Sequence, residues 1–420
     1  MSDRLARLTA FADDIGRPVR ICLVGAGQMG SGLAAQLGRM PGLELAAVVD
    51  INADRAAAAL GLAGRDSVHV GAAGAPAALA AGRPVALDDP KAVAELDIDV
   101  VVEATGVPLV GAAVAHNSLL AGQDVVMLNV ETDVTVGVYL DDLARSAGQV
   151  YTIADGDEPV CGKELVDLAH EMAFDVVCAG KGKNNPFRPS AVAGELQDEA
   201  DRKHMNPKML ASFVDGSKTM IEMAALSNAT GLPVDTVGMH GVTSEVDGLA
   251  STLIPAADGG VLSEAGRVDY AFGPAPGVFV VVTHQDETVR QEMSYLGMGA
   301  GPYFTLYRPF HLASLEAPRT IITTVLDRRP VLRPAGWHAE VVATAKHDIP
   351  AGTTLQGIGG DHVRGVTYRA DQATEFLPLG LAENGVVQTD IGAGDPLPRS
   401  AVDVPASVIS TLRSLQEMRA

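Results

Sequence analysis

From Arg20 to about Asp155 short apolar runs alternate with Ala- and Leu-rich stretches of helical period. Ile21-Cys22-Leu23-Val24 and Leu45-Ala46-Ala47-Val48-Val49 are apolar throughout, as are Val100–Val102 and Val125–Leu128, and Val150-Tyr-Thr-Ile153 reads as a further strand. Strands without polar alternation are buried on both faces, which a parallel sheet covered by helices requires. Helices are predicted from the glycine cluster to about Arg39 and from Gly106 through Leu120, and the Gly/Ala-rich segment 71–82 reads as a loop or weak helix. Residues 1–16 read as an amphipathic helix with Leu5, Leu8, Phe11 and Ile15 on one side. Beyond Pro159 the pattern predicts helices at 164–172 and 207–230, the latter weakened at Gly216, with strands at 176–178 and 278–283. The last ninety or so residues carry an internal echo, D-I-x-A-G-x-x-L, at Asp348–Leu355 and again at Asp390–Leu397. Two copies point to a pseudo-symmetric β module and not a solenoid. The expected architecture is α/β: a dinucleotide-binding domain at 1–158, an α+β catalytic and oligomerisation domain at 159–335, and a small β module at 336–420.

Composition narrows the function. The chain has 52 acidic against 31 basic residues, a net charge of −21. That balance argues against nucleic-acid and anionic-membrane partners. No apolar run reaches the ~18–20 residues of a membrane helix, so a cytoplasmic protein is expected. Cys22, Cys161 and Cys178 have apolar neighbours and no metal-ligand spacing, and read as core.

Gly25-Ala26-Gly27-Gln28-Met29-Gly30 is G-x-G-x-x-G after an apolar strand and before a helix, and Asp50 ends the next strand. In that context it reads as a dinucleotide fingerprint. Gly25 makes the turn, Gly27 admits the pyrophosphate, and Gly30 allows close helix–strand packing. Gln28 and Met29 line the loop. Asp50 suits ribose hydroxyls and leans toward NAD(H), whereas Arg55 can admit NADP(H). Thr105 and Gly106, after Glu103, and Asn129, after the following strand, are expected near the nicotinamide side.

Lys181 and Lys183, in Gly180-Lys-Gly-Lys-Asn-Asn-Pro186, lie with Arg188 in an acid-free window from Val176 to Gly194. In so acidic a chain two lysines in a glycine turn suit an anionic substrate or a reacting carbonyl. Asp215 and Lys218 share one face of a predicted helix, with Glu222 a turn on, and form an acid–base pair candidate. Asp155, Asp157 and Glu158 follow a strand end and offer oxygen ligands to Mg²⁺ or Mn²⁺. His240 and His311 are further cleft candidates.

The order GAGQMG, VVEATG, LNVET, DGDEP, GKGKNN and DGSK resembles homoserine dehydrogenase over about residues 18–330. That resemblance implies that Asp215 and Lys218 are the catalytic acid–base pair. Departures are clear: Val130 follows Asn129 where the family has a lysine, and Lys183-Asn-Asn185 replaces Asn-Gly-Thr. GKGKNNP, DGSKTMIEM and LYRPFHLASLE are more similar to the 1-deoxy-D-xylulose 5-phosphate reductoisomerase-like branch (DRL). The branch implies NADPH- and divalent-metal-dependent rearrangement and reduction of a sugar phosphate. The C-terminal echo, with Leu377-Pro-Leu-Gly380, resembles the SAF domain, a β-clip module. The expectation is therefore an NAD(P)-dependent oxidoreductase of a small anionic carbonyl or polyol, with a sugar-phosphate reductoisomerase as its specific form, working as a homo-oligomer. The alternatives are a homoserine-type semialdehyde dehydrogenase and a nucleotide-binding sensor or scaffold without turnover.

Overall fold

A computed structural model describes residues 2–203 and 205–419. The chain divides into two compact units. The first comprises residues 1–157, 312–333 and 411–419, and the second 158–311 and 334–410.

In the first unit the apolar runs become strands β1 (Val19–Val24), β2 (Leu43–Val49), β3 (His69–Val70), β4 (Val85–Leu87), β5 (Val100–Glu103), β6 (Asp124–Met127) and β7 (Tyr151–Ile153). They form one sheet in the order β3-β4-β2-β1-β5-β6-β7, and every pairing is parallel. The order reverses at β1, the topological switch point where such sheets bind ligands. Val100, Val101 and Val102 are fully buried, as continuous apolar strands must be when both faces are covered. The segment 71–82, expected as a loop or weak helix, contains the helix Ala75–Ala80 between β3, an edge strand, and its neighbour β4. The N-terminal helix Asp3–Asp14 is capped by Ser2 and buries Leu8 and Ala12.

The second unit has a mixed sheet of β8 (Asp175–Gly182), β9 (Val242–Thr243), β10 (Arg267–Phe272), β11 (Val278–Thr283) and β12 (Tyr303–Arg308), in the order β12-β11-β8-β10-β9. The expected strand at 176–178 runs on to Gly182, so Lys181 is a strand residue opposite Tyr270 and Val278 and does not lie in a turn. Its flanking glycines serve close approach. A Cβ on Gly180 would lie 1.9 Å from the Asp269 carbonyl oxygen, and one on Gly182 would lie 2.2 Å from the Ala275 nitrogen.

The expected helix 207–230 is two helices, Pro207–Val214 and Ser217–Thr230. Gly216, at φ +93°, breaks it. Asp215 and Lys218 therefore do not share a helix face.

Past residue 334 the second unit adds the antiparallel hairpin of β13 (Ala339–Ala345) and β14 (Val363–Arg369). A short pair, β15 (Val386–Val387) and β16 (Val402–Asp403), follows. The two echo copies bind each other. Ile349 and Ile391 exchange backbone hydrogen bonds at 2.8 and 3.0 Å. Asp348 Oδ1 accepts from the Ala393 amide and Asp390 Oδ1 from the Ala351 amide, both at 2.9 Å. The repeat is thus a local pseudo-twofold, with each aspartate pinning the other copy's turn.

Candidate functional site

In the first unit the loop after β1 has the geometry its glycines predict. Gly25 has φ +101°, and a Cβ there would lie 2.9 Å from Ala104 backbone atoms. A Cβ on Gly30 would lie 1.9 Å from the Gly25 carbonyl oxygen. Around Gly27, the N-cap of the helix Gln28–Leu37, a Cβ would meet nothing within 4 Å. That open cradle at a helix N-terminus fits a pyrophosphate. Met29 is 38% exposed beside it. The Asp50 carboxylate is buried and accepts from the Ala26 amide at 2.9 Å and the Asn52 amide at 3.0 Å. Arg55 donates to Asp50 Oδ2 at 3.1 Å, so the acid stands beside a cation.

At the ends of β5 and β6 a small polar knot forms. Glu103 is fully buried and accepts from the Thr105 amide at 3.0 Å and from the Thr105 hydroxyl. Asn129 caps the helix Val130–Ala147, accepting from the Thr132 amide at 3.0 Å and donating to the Val107 carbonyl at 3.2 Å. Gly106 turns the chain there at φ +66°. Burial pushes Glu103 up to about 7 against its Thr105 and Asn129 hydrogen bonds.

In the second unit buried charges meet at the end of β8. Lys181 Nζ donates to Glu158 Oε1 at 2.6 Å and to Glu222 Oε2. His311 Nε2 lies 3.4 Å from Glu158 Oε1, and Lys218 Nζ lies 3.8 Å from Glu222 Oε1. Burial opposes the Lys181 charge, but Glu158 and Glu222 outweigh it and hold the ammonium above its ordinary value. Burial likewise opposes the Glu158 charge, and Lys181 and His311 override it, holding that carboxyl low. Glu222 is raised, by burial first and then by Glu158.

Lys183 differs from Lys181. It is buried, among the described residues no carboxylate takes a hydrogen bond from it, and its Nζ donates to the Phe213 carbonyl at 2.7 Å. Burial, and then the neighbouring Lys181, pull it down to about 8. An amine near that value exchanges protons close to neutral pH.

Asp215 and Lys218, expected as an acid–base pair, have separate partners. Asp215 is fully buried, and its Oδ2 lies 2.8 Å from the Nζ of the equally buried Lys346. Its Oδ1 accepts from the Ser217 amide at 2.8 Å and so starts the helix that carries Lys218. Lys346 also donates to the Ala191 and Gly360 carbonyls, both at 2.7 Å. Arg188 is drawn away to Glu199 at 2.8 Å. His240 bonds Asp235 at 2.8 Å, and Asp235 also takes a hydrogen bond from Arg267.

Of the expected Mg²⁺ or Mn²⁺ ligands, Asp155 and Glu158 already have protein partners. Asp155, in the first unit, accepts from the Thr320 hydroxyl at 3.0 Å, with Thr320 Oγ1 also taking the Asp155 amide at 2.6 Å. Asp157 is the buried last residue of that stretch. Glu158 belongs to the second unit and already faces Lys181. Sequence reasoning missed Glu158 as a lysine partner, because the residues it meets are far along the chain. It also missed Lys346, whose one sequence signal is a lysine closing an apolar strand.

Comparison with known proteins finds two family models, one after the other along the chain. Residues 25–153 match the homoserine dehydrogenase NAD-binding domain, and residues 156–317 match the catalytic domain of oxidoreductase DRL. No curated protein matches the chain. Among solved structures, a probable dehydrogenase from Thermotoga maritima is 15% identical, with 76% of this chain and 91% of that one covered, at a TM-score of 0.42. UDP-N-acetylglucosamine 3-dehydrogenase from Acidithiobacillus ferrooxidans is 15% identical, covering 75% and 91%, at 0.40. Myo-inositol 2-dehydrogenase from Lactobacillus plantarum is 14% identical, covering 64% and 75%, at 0.34. With an open dinucleotide cradle on an all-parallel sheet and a lysine-rich polar centre, the chain is an NAD(P)-dependent oxidoreductase, one segment of it similar to the homoserine dehydrogenase NAD-binding domain and another to the catalytic domain of oxidoreductase DRL.

Proposed function

We propose that the protein reduces, or in reverse forms, the carbonyl of a small anionic substrate, with Lys183 as the group that moves the proton. The bound nicotinamide supplies or takes the hydride. Gly27 leaves room for its pyrophosphate, and Asp50 engages its ribose. Arg55, paired with Asp50, softens the repulsion of a 2′-phosphate, so NADH is used and NADPH is tolerated. The carrying observation is Lys183: buried, held by one carbonyl, and brought to about 8 by burial and by Lys181. Its ammonium protonates the alkoxide that hydride arrival creates, and its amine accepts that proton in the oxidative direction. Lys181, fixed between Glu158 and Glu222, is the constant positive charge that keeps Lys183 acidic. Lys218 extends the same network through Glu222.

Lysine, and not a divalent metal, supplies the positive charge in this reading. The resemblance to the reductoisomerase-like branch favours a phosphorylated ketose whose rearrangement precedes reduction, and the residues that relay a proton between neighbouring oxygens are then Lys183 and Lys218. The reading also places the protein in the cytoplasm as a homo-oligomer, with the SAF-like stretch 336–420 as a module of its own. Among the described residues no helix is long and apolar enough to cross a membrane.

The test is NAD(P)H oxidation with phosphorylated ketoses, semialdehydes and their uncharged analogues, with and without EDTA. Turnover that survives EDTA and disappears in Gly27→Val supports the reading. Nucleotide binding without oxidation of any carbonyl would leave a sensor.

A further inference from the structure

Arg364 opens a second source of positive charge at the catalytic segment, and it comes from the C-terminal part of the chain. It lies on β14, one residue before Gly365, whose amide donates to the Ser217 hydroxyl at 2.8 Å. That bond sets Arg364 beside the start of the helix Ser217–Thr230. The Arg364 guanidinium lies 5.8 Å from the centroid of the Phe187 ring. Phe187 belongs to the Lys181–Arg188 segment and sits against Gly216, where a Cβ would lie 2.7 Å from the ring. The same ring is 39% exposed. Arg364 thus joins the lysine segment and the Asp215–Lys218 turn from outside both.

Among the described residues no carboxylate forms an ion pair with Arg364, and no acceptor takes a hydrogen bond from it. The surrounding cations are committed: Arg188 to Glu199, Lys346 to Asp215, Lys181 to Glu158 and Glu222. Asp215 influences Arg364, but Lys346 already neutralises it at 2.8 Å. Tyr270 and Tyr368 are the other titratable groups facing the guanidinium. The helix beside it starts on Asp215, whose Oδ1 takes the Ser217 amide, and carries Lys218 in its first turn. A half-buried guanidinium with no ion pair among the described residues, resting against the ring of the segment that carries Lys183, is a group that an oxyanion completes.

We propose that Arg364 holds the oxyanion end of the substrate, a carboxylate or a phosphate, and is thereby the residue through which the C-terminal module sets substrate choice. This rests on the carbonyl-reductase reading above. Arginine suits the task because its planar fork binds two oxygens at once, and Phe187 supports the plane from one side.

The test uses the full chain saturated with NADH. Inorganic phosphate and malonate are titrated by calorimetry at matched ionic strength, against wild type, Arg364→Gln, Arg364→Lys and Phe187→Leu. Wild type should bind at least one of the two anions. Arg364→Gln should weaken that binding at least about tenfold, the usual effect of losing a charge-assisted bond. Arg364→Lys should lose less, Phe187→Leu should lose a few-fold, and NADH affinity should stay unchanged throughout. Preference for phosphate or for malonate identifies the substrate's anionic group. The proposal is overturned if wild type binds neither anion, or if Arg364→Gln binds as wild type does. Should that happen while uncharged carbonyls still oxidise NADH, only the role of Arg364 falls. Should Arg364→Gln abolish phosphate binding while no carbonyl oxidises NADH, the anion site stands and the reductase reading falls.

Discussion

Lys181 and Lys183 are two residues apart and have opposite fates. Both are buried, which disfavours an ammonium. Lys181 meets two carboxylates and keeps its proton; Lys183 meets a carbonyl and the charge of Lys181, and is brought to about 8. If Lys183 is the proton donor, the reductive rate falls as pH rises through about 8 and the oxidative rate rises over the same interval. Lys183→Met should lower kcat by roughly 10²–10⁴, the range for losing a general acid. In Lys181→Met the neighbouring positive charge is gone, so the limb should move to higher pH. Steady-state pH profiles in both directions decide this, and a limb that stays in place in Lys183→Met assigns it to another group. The sequence showed both lysines in an acid-free window. It could not show which one is neutralised, because Glu158 and Glu222 reach Lys181 from 23 and 41 residues away.

At the scale of elements, β1, β2, β5, β6 and β7 were legible because a doubly covered parallel sheet leaves an apolar run, whereas the two- and three-residue strands β3 and β4 are too short to leave a pattern. The fingerprint loop was legible because its glycines answer to backbone geometry, which the local sequence determines. The break at Gly216 was less so: a helical pattern continues on either side, and only φ +93° reveals two helices. What holds that break is remote. Lys346, at the end of β13, neutralises Asp215, and Asp215 caps the helix that carries Lys218. Removing the cation strands a buried carboxylate. Lys346→Met should therefore cost about 3–5 kcal/mol, the range for breaking a buried pair. Lys346→Met with Asp215→Leu should recover much of that loss, since well-packed apolar residues often replace such a pair. Thermal unfolding of the two variants is the measurement; an unchanged Tm in Lys346→Met means that the pair carries no stability.

Across the whole molecule the net charge of −21 is unevenly used. In the first unit the perturbed carboxyls move one way. Burial raises Glu103 and Asp133 to about 7, and raises Asp124, Asp141 and Asp155 as well. In the second unit the directions are mixed. Burial raises Glu222 and Asp269, whereas Lys181 overrides burial to lower Glu158, and Lys203 with Arg188 lowers Glu199. A carboxyl raised by folding contributes stability that is complete below its ordinary pKa and is lost as pH rises through the folded value. A lowered one contributes above its ordinary pKa and is lost as pH falls below it. Between pH 8 and 5, without nucleotide, the first unit should therefore gain on the order of 5–10 °C in melting temperature, and the second unit less. Below about pH 4 the second unit should weaken, as Glu158 and Glu199 take up protons. The chain supplies its own reporter, since its one tryptophan, Trp337, lies in the second unit. Tryptophan fluorescence follows that unit while calorimetry follows both. Asp133→Asn and Glu103→Gln should each flatten the calorimetric pH slope and leave the fluorescence transition in place. If instead the two transitions move together over the whole range and neither variant changes the slope, the buried acids of the first unit do not govern its stability.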